Sequence, residues 1–330
     1  MRRVYSGCLV GLLLILAVSL PGYCHVPGFP TGNDEIDSAT VIDDPAKSVV
    51  IYSELESGGE AEYYRSPLSA GERLRVTLIA STRSYSRGFR PRMALLVPKT
   101  GLGDAVPGQM EVPEGYSVVE STPLKGDAVY EGFSPSAFHR LFTLNQEQST
   151  GGDYYIVVYG NSGGGSYGLV VGYVESYSIW EWLRLPLDLV SIWRWEGQGL
   201  LAIFAPFLLV VALGFPLILR RISPRTRRGF LSILTSLGGL LIAGSGCMTL
   251  YQMVYALSEA GLSAEVVITG VIASAQLAIG TVLLRTGLSP RGADAVPRLR
   301  VLMLGLLGLL AWAGFFIGPA LALISGLVDR

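Results

Sequence analysis

Hydrophobic positions change their spacing along this chain. Between Thr40 and Glu175 they come in short runs broken by Gly, Pro, Ser and Asn clusters. Leu74, Val76, Leu78 and Ala80 alternate there with Arg73, Arg75, Thr77 and Ile79, mostly the two-residue period of a sheet with one solvated face. The runs predict strands over 48–54, 61–68, 72–81, 93–97, 116–121, 139–145, 154–159 and 167–174. About eight strands in roughly 130 residues, most with turn residues between them, predict an antiparallel β-sandwich of jelly-roll type. No stretch in that region has the length and 3.6-residue period of a helix.

From Gly199 the alternation gives way to four long apolar runs, 199–219, 230–257, 266–284 and 301–328. Crossing a hydrocarbon core as a helix takes about 20 residues at about 1.5 Å each, so each run predicts a transmembrane helix. None contains Asp, Glu, Lys, Arg or His, the groups that pumps and proton relays keep at membrane depth. Gly239 with Ala243, and Gly314 with Gly318, place small residues one turn apart, where helices can approach closely. Ser245, Thr249, Gln252, Thr269, Ser274, Gln276 and Thr281 offer groups that can bond across such a bundle. Pro216 and Pro319 predict kinks.

Composition and charge add a direction. Only 15% of the residues are charged and half are hydrophobic, well below the charge of a soluble domain. Residues 25–198 hold 22 acidic and 13 basic side chains, whereas the remainder holds 4 acidic and 12 basic ones, all Arg. An acidic front half argues against nucleic acid as a partner. Residues 1–24 read as a signal peptide, with Arg2 and Arg3 before an apolar run and small Gly22 and Cys24 ahead of a cleavage point. An uncleaved anchor is the alternative. The three cysteines leave no pair for a disulfide in the exported region and no zinc spacing. If residues 25–178 are exported, the first span runs inward. The loops agree: Arg220, Arg221, Arg225, Arg227 and Arg228 follow the first span, and Arg285, Arg291, Arg298 and Arg300 separate the third from the fourth. Positive loops stay cytoplasmic, so the β-domain and the C-terminus are expected outside a multi-pass cell membrane.

Two stretches resemble a known family. Ala61-Glu-Tyr-Tyr-Arg-Ser-Pro-Leu-Ser-Ala-Gly-Glu-Arg-Leu-Arg-Val-Thr-Leu is similar to the paired-strand opening of the bacterial pre-peptidase C-terminal domain. Gly152-Asp-Tyr-Tyr-Ile-Val-Val-Tyr-Gly, followed by Gly163-Gly-Gly-Ser-Tyr-Gly-Leu-Val-Val, resembles its closing hairpin. The resemblance implies a small accessory β-sandwich that contacts carbohydrate or protein, with no catalytic residues. It covers about 45 residues and says nothing of the helical region.

Trp180, Trp182, Trp193 and Trp195 crowd the segment 179–198. Helix-like spacing and the position against the first span predict an interfacial helix with indoles at headgroup depth; a ligand platform of stacked aromatics is the sharper alternative. Candidate chemistry is sparse. Cleavage after Cys24 would leave His25 as an N-terminal residue whose α-amine and imidazole could chelate copper, with His139 as a third nitrogen donor. The acidic leader Asn33–Asp37 with Asp43 and Asp44 lacks the glycine and register of a calcium loop. The run Gly160–Ser166 leads into a strand, so it is a hairpin turn and not a phosphate cradle. No nucleophile elbow or triad can be assembled.

The sequence therefore supports a membrane α+β fold, an extracytoplasmic sandwich followed by a four-helix bundle. The leading functional expectation is a membrane-anchored binding or structural module. Its partners would be the lipid bilayer, an extracellular ligand, glycan or protein, and further membrane subunits. Copper handling through His25 and His139, and a small-solute transporter or channel, are the alternatives.

Overall fold

The computed structural model describes residues 25–98, 110–160, 163–223, 225–289 and 298–328. The expected signal peptide and Arg291 lie outside the described residues. Two sheets form the N-terminal region. Sheet A runs β1 (Val26–Gly28), β3 (Val49–Leu55), β12 (Gly165–Val171), β5 (Arg73–Ser81), β10 (Ser136–Glu147), β8 (Thr122–Pro123), with β9 (Ala128–Glu131) also on β10. Sheet B runs β2 (Thr40–Val41), β4 (Ala61–Leu68), β11 (Gly152–Tyr159), β6 (Arg92–Pro98), β7 (Tyr116–Glu120). All eight expected strands are present, within three residues at each end. The pairings are antiparallel except at β1 with β3 and β2 with β4, which are parallel. β1, β2, β8 and β9 were not foreseen, because two to four residues are too few to show a period.

Leu74, Val76 and Leu78 of β5 point between the sheets and meet Ile156 and Val158 of β11 and Leu169 and Val171 of β12. A polar knot crosses this interior. The hydroxyls of Tyr64, in sheet B, and Tyr167, in sheet A, lie 2.6 Å apart, and both bond Glu62. Such a fully satisfied buried network ties one sheet to the other in a single register. A one-turn helix, α1 (Thr82–Ser86), follows β5, capped by Ser81 Oγ accepting from Ser84 N. The sequence did not predict it.

The second face of sheet A is not simply solvated. Ile79, Val50, Tyr52 and Phe138 on that face pack against Ile192 of helix α2 (Ile179–Trp195). Local alternation records which side chains turn toward the sandwich interior. It carries no trace of a helix a hundred residues later that covers the other side.

Helices α3 (Leu200–Arg221), α4 (Arg227–Ala260) and α5 (Val266–Gly287) have 22, 34 and 22 residues and are long and apolar enough to cross a membrane. The fourth apolar run does not form one helix. It divides into α6 (Arg298–Leu310) and α7 (Ile317–Leu327) around a 3₁₀ turn, Ala313–Phe316. Trp312, Gly314, Phe315 and Phe316 are all left-handed there, at φ 47°, 59°, 51° and 63°. α6 and α7 fold back on each other: a Cβ at Gly305 would stand 2.9 Å from Leu323, and one at Gly326 2.8 Å from Leu302. The expected fourth span is thus a hairpin. Pro319 is the third residue of α7, where the missing N–H has no helical partner to lose. The left-handed aromatics cost about 1–2 kcal/mol each and are held by ring contacts at 5.2–6.1 Å with Phe133, Trp182, Phe204 and Phe207.

Thr235 Oγ1 and Ser325 Oγ meet at 2.8 Å near the open end of this hairpin, and Ser245 Oγ accepts from Gly314 N at 2.7 Å at its tip. Those contacts span ten residues of α4, about 15 Å, roughly half a hydrocarbon core. Gly239 and Ala243 face Gly280 of α5, and Gly318 faces the Gly238 carbonyl of α4. Gly314 sits in the turn instead of one helical turn before Gly318, and it packs on Leu241 and Ile242. Arg220, Arg221, Arg225, Arg227, Arg228, Arg285, Arg298 and Arg300 all fall at one end of the bundle, where α3 and α5 end and α4 and α6 begin.

Candidate functional site

The sandwich sits on the other end of the bundle, and the contact is specific. The β9–β10 turn inserts Gly132 against α5 so closely that a Cβ there would lie 2.4 Å from the Glu265 carbonyl oxygen. Gly132 N donates to Glu265 Oε2 at 3.2 Å, Tyr130 and Thr269 bond through their hydroxyls at 2.6 Å, and Thr269 also donates to the Gly132 carbonyl. One turn further on, Ala137 N donates to Glu196 Oε1 at 2.7 Å and Gln198 Nε2 to Glu196 Oε2 at 3.2 Å. Gln198 and Gln252 of α4 exchange amide hydrogen bonds at 2.8 and 3.1 Å. Burial pushes the Glu196 carboxyl up to about 8, against the two hydrogen bonds it accepts and with nearby Glu259 and Glu131 adding to the rise.

The four tryptophans divide their work. Trp193 is 2% exposed, and its Nε1 donates to the carbonyls of Ser134 and Pro135. Trp195 Nε1 donates to Tyr167 O at 2.8 Å and Ser53 O at 3.2 Å, and its ring stands edge-on to Tyr52. Trp182 packs on Trp312 and Phe316 at the hairpin tip. Trp180 is 76% exposed, in a stripe with Ile179, Leu183 and Leu187. Two indoles expected at an interface are thus internal fasteners between helix and sandwich. Their N–H groups found carbonyls that only the folded sheet supplies.

α2 has three faces. Trp182 and Trp193 look to the bundle; Ile179, Trp180, Leu183 and Leu187 look outward; Leu185, Leu189 and Ile192 lie opposite them and wall a chamber. This chamber, about 550 Å³, lies between α2, the outer face of sheet A and the start of α5, within the usual range for small-molecule sites. Val50, Phe138 and Val170 form its apolar wall on the sheet. Arg75 and Arg140 stand exposed at its rim beside His25. Glu131 and Glu265 are half-buried where the β9–β10 turn meets α5, and Glu175 lies on the wall as well. Burial raises the Glu131 carboxyl, opposed by hydrogen bonds from Ser134 and Phe133. Burial, then the Arg140 and Arg75 guanidiniums, lower His25 to about 4. A smaller void, about 40 Å³, lies beneath α2 among Ser245, Thr249 and Gln276, and Phe133 and Leu189 line both spaces.

His25 and His139 are not brought together. His25 leads into β1 and bonds Ser48 through Nδ1, whereas His139 on β10 bonds Gly126 O and stacks on Tyr85. β3, β12 and β5 intervene, a separation of about 19 Å before any offset along the strands. Among the described residues, no group of three or more His, Cys, Asp or Glu side chains is placed to hold a metal ion. In the acidic leader, Asn33 is buried on Tyr63 O and Glu62, and Asp44 caps the turn at Ala46 and Lys47. The chamber escaped the sequence reading, since its charges come from five separate segments. Only Arg75, at an outward position of an alternating strand, carried a local signal.

No protein-family model matches the chain, and no curated protein matches it. Among solved structures, it is similar to the pre-peptidase C-terminal domain of a collagenase from Bacillus anthracis, at 17% identity. The match covers 43% of this chain and 99% of that one, with a TM-score of 0.23. The likeness is weak.

Proposed function

We propose that this chain is a membrane-anchored binding protein whose β-sandwich stands outside the cell and whose ligand site is the chamber between sheet A and α2. The chamber carries this reading: it combines apolar walls with converging charged groups at a junction that none of the described elements fills. Three spans, α3, α4 and α5, would hold it in the bilayer, with the arginine-rich end in the cytosol. The α6–α7 hairpin would enter from that side and return to it. This leaves the C-terminus cytosolic, in place of the outside position expected for four crossings. The exposed apolar stripe of α2 would rest in the outer leaflet, with Trp180 at headgroup depth.

The test is a thermal-unfolding screen of the full chain in lipid nanodiscs against soluble metabolites, peptides, glycan fragments and amphiphiles. At least one compound should raise the unfolding temperature of the natural protein and have no effect on Val170→Trp, which fills the chamber. If every stabilising compound acts equally on both proteins, the chamber is not the site.

A further inference from the structure

We infer that the chamber takes a short apolar peptide with free termini, its ammonium at Glu131 and Glu265 and its carboxylate at Arg75 and Arg140. This rests on the chamber being the ligand site.

The order of groups along the walls argues for it. The half-buried carboxylates of Glu131 and Glu265 mark the end nearest the bundle, the exposed guanidiniums of Arg75 and Arg140 mark the rim, and apolar side chains of sheet and helix lie between. A purely anionic ligand would meet the inner carboxylates, and a purely cationic one would have to pass the guanidiniums. A ligand with charges of both signs, separated by an apolar body, satisfies both ends. Peptides have that sequence of groups: ammonium, side chains, carboxylate. Three extended residues span at most about 10–11 Å. Arg140 lies four residues along β10 from Ser136, the partner of Glu131, about 13 Å before side-chain reach. Arg75, opposite Asn145, lies further out, so Arg140 is the nearer guanidinium, and its planar fork suits a terminal carboxylate. Even counted with the rim, Glu175 of the wall sets one carboxylate against two guanidiniums, still a net attraction for an anion. A zwitterionic lysolipid shares the charge chemistry, but its phosphate lies between amine and tail, so its groups fall in the wrong order.

The experiment is isothermal calorimetry on the full chain in nanodiscs with four probes: trileucine, N-acetyl-trileucine, trileucine amide and lysophosphatidylethanolamine. Free trileucine should bind, and blocking either end should weaken the Kd about tenfold or more, the scale of a lost charge-assisted hydrogen bond. Arg140→Gln should abolish the preference for a free carboxylate yet keep the penalty for acetylation. Glu265→Gln, which keeps an acceptor for Gly132 N–H, should do the reverse. Unchanged unfolding temperatures would verify that both variants fold. The inference is overturned if capped and free peptides bind alike, if only the lysolipid binds, or if no peptide binds while another compound shows stabilisation abolished by Val170→Trp. In that last case the chamber remains a ligand site for a different chemistry. If no compound of any class is sensitive to Val170→Trp, the chamber reading itself fails.

Discussion

Replacing Gly280 by alanine adds one methyl group, yet it should open the tightest seam of the bundle. A Cβ at Gly280 would stand 2.5 Å from Ala243 N, 2.6 Å from Gly239 O and 2.8 Å from Ala243 Cβ. Two of these are backbone atoms of α4 and cannot rotate away, so α4 and α5 must separate by about 1 Å to restore ordinary contact, as in other overpacked interiors. That costs about 1–3 kcal/mol directly, and dispersion along both helices weakens with the gap. Gly270, on the same helix, is the control, because a Cβ there meets nothing within 4 Å. Gly270→Ala should leave stability unchanged or raise it by up to about 1 kcal/mol through helix propensity. The measurement is the unfolding free energy of each variant in mixed micelles with increasing dodecyl sulfate, followed by circular dichroism. Both variants gain the same helix propensity, so Gly280→Ala should fall about 1–3 kcal/mol below Gly270→Ala, the overpacking cost alone. Equal curves would refute the close α4–α5 packing.

Other expectations follow from the junction. Glu196 has a folded value near 8 against an ordinary 4.5, so its proton is held more tightly in the folded state. Stability therefore falls as pH rises between these values and levels off above them, by at most about 5 kcal/mol; Glu196→Gln should remove that slope in pH-dependent unfolding. His25 has the opposite sign. It resists protonation down to about 4, so stability should fall as pH drops from about 6.5 to 4, and His25→Ala should flatten that limb. Trp193→Phe keeps an aromatic side chain but loses the donor to Ser134 O and Pro135 O together with half of a buried indole. The lost hydrogen bonds and the void should cost about 2–4 kcal/mol, with faster amide exchange at 133–138 as the local readout.

Much of the architecture was open to local reading. The period of β5, the turn residues between strands and the charge-free apolar runs each reflect a one-dimensional constraint, namely which face is buried or whether water is excluded. The hairpin was not open to it. Positions 301–328 satisfy the length and apolarity of a span, and Gly314, Gly318 and Pro319 gave only the hint of a kink. What turns the chain back is the set of aromatic contacts from Phe133, Trp182, Phe204 and Phe207, residues far away in the sequence. The tryptophan cluster likewise announced an interface between apolar and polar surroundings. Which indoles face lipid and which face protein depends on where the Ser134, Pro135 and Tyr167 carbonyls come to lie.

The sequence by itself determined a strand-rich region, long apolar helices and the segregation of arginine to their connecting loops. Each of these follows from side-chain period and solvation along a single segment. Tertiary structure alone decided that His25 and His139 stand apart, that α2 roofs sheet A, and that Arg75, Arg140, Glu131 and Glu265 share one chamber. A binding site joins segments distant along the chain, and their convergence is set by packing of whole elements, which no local pattern encodes.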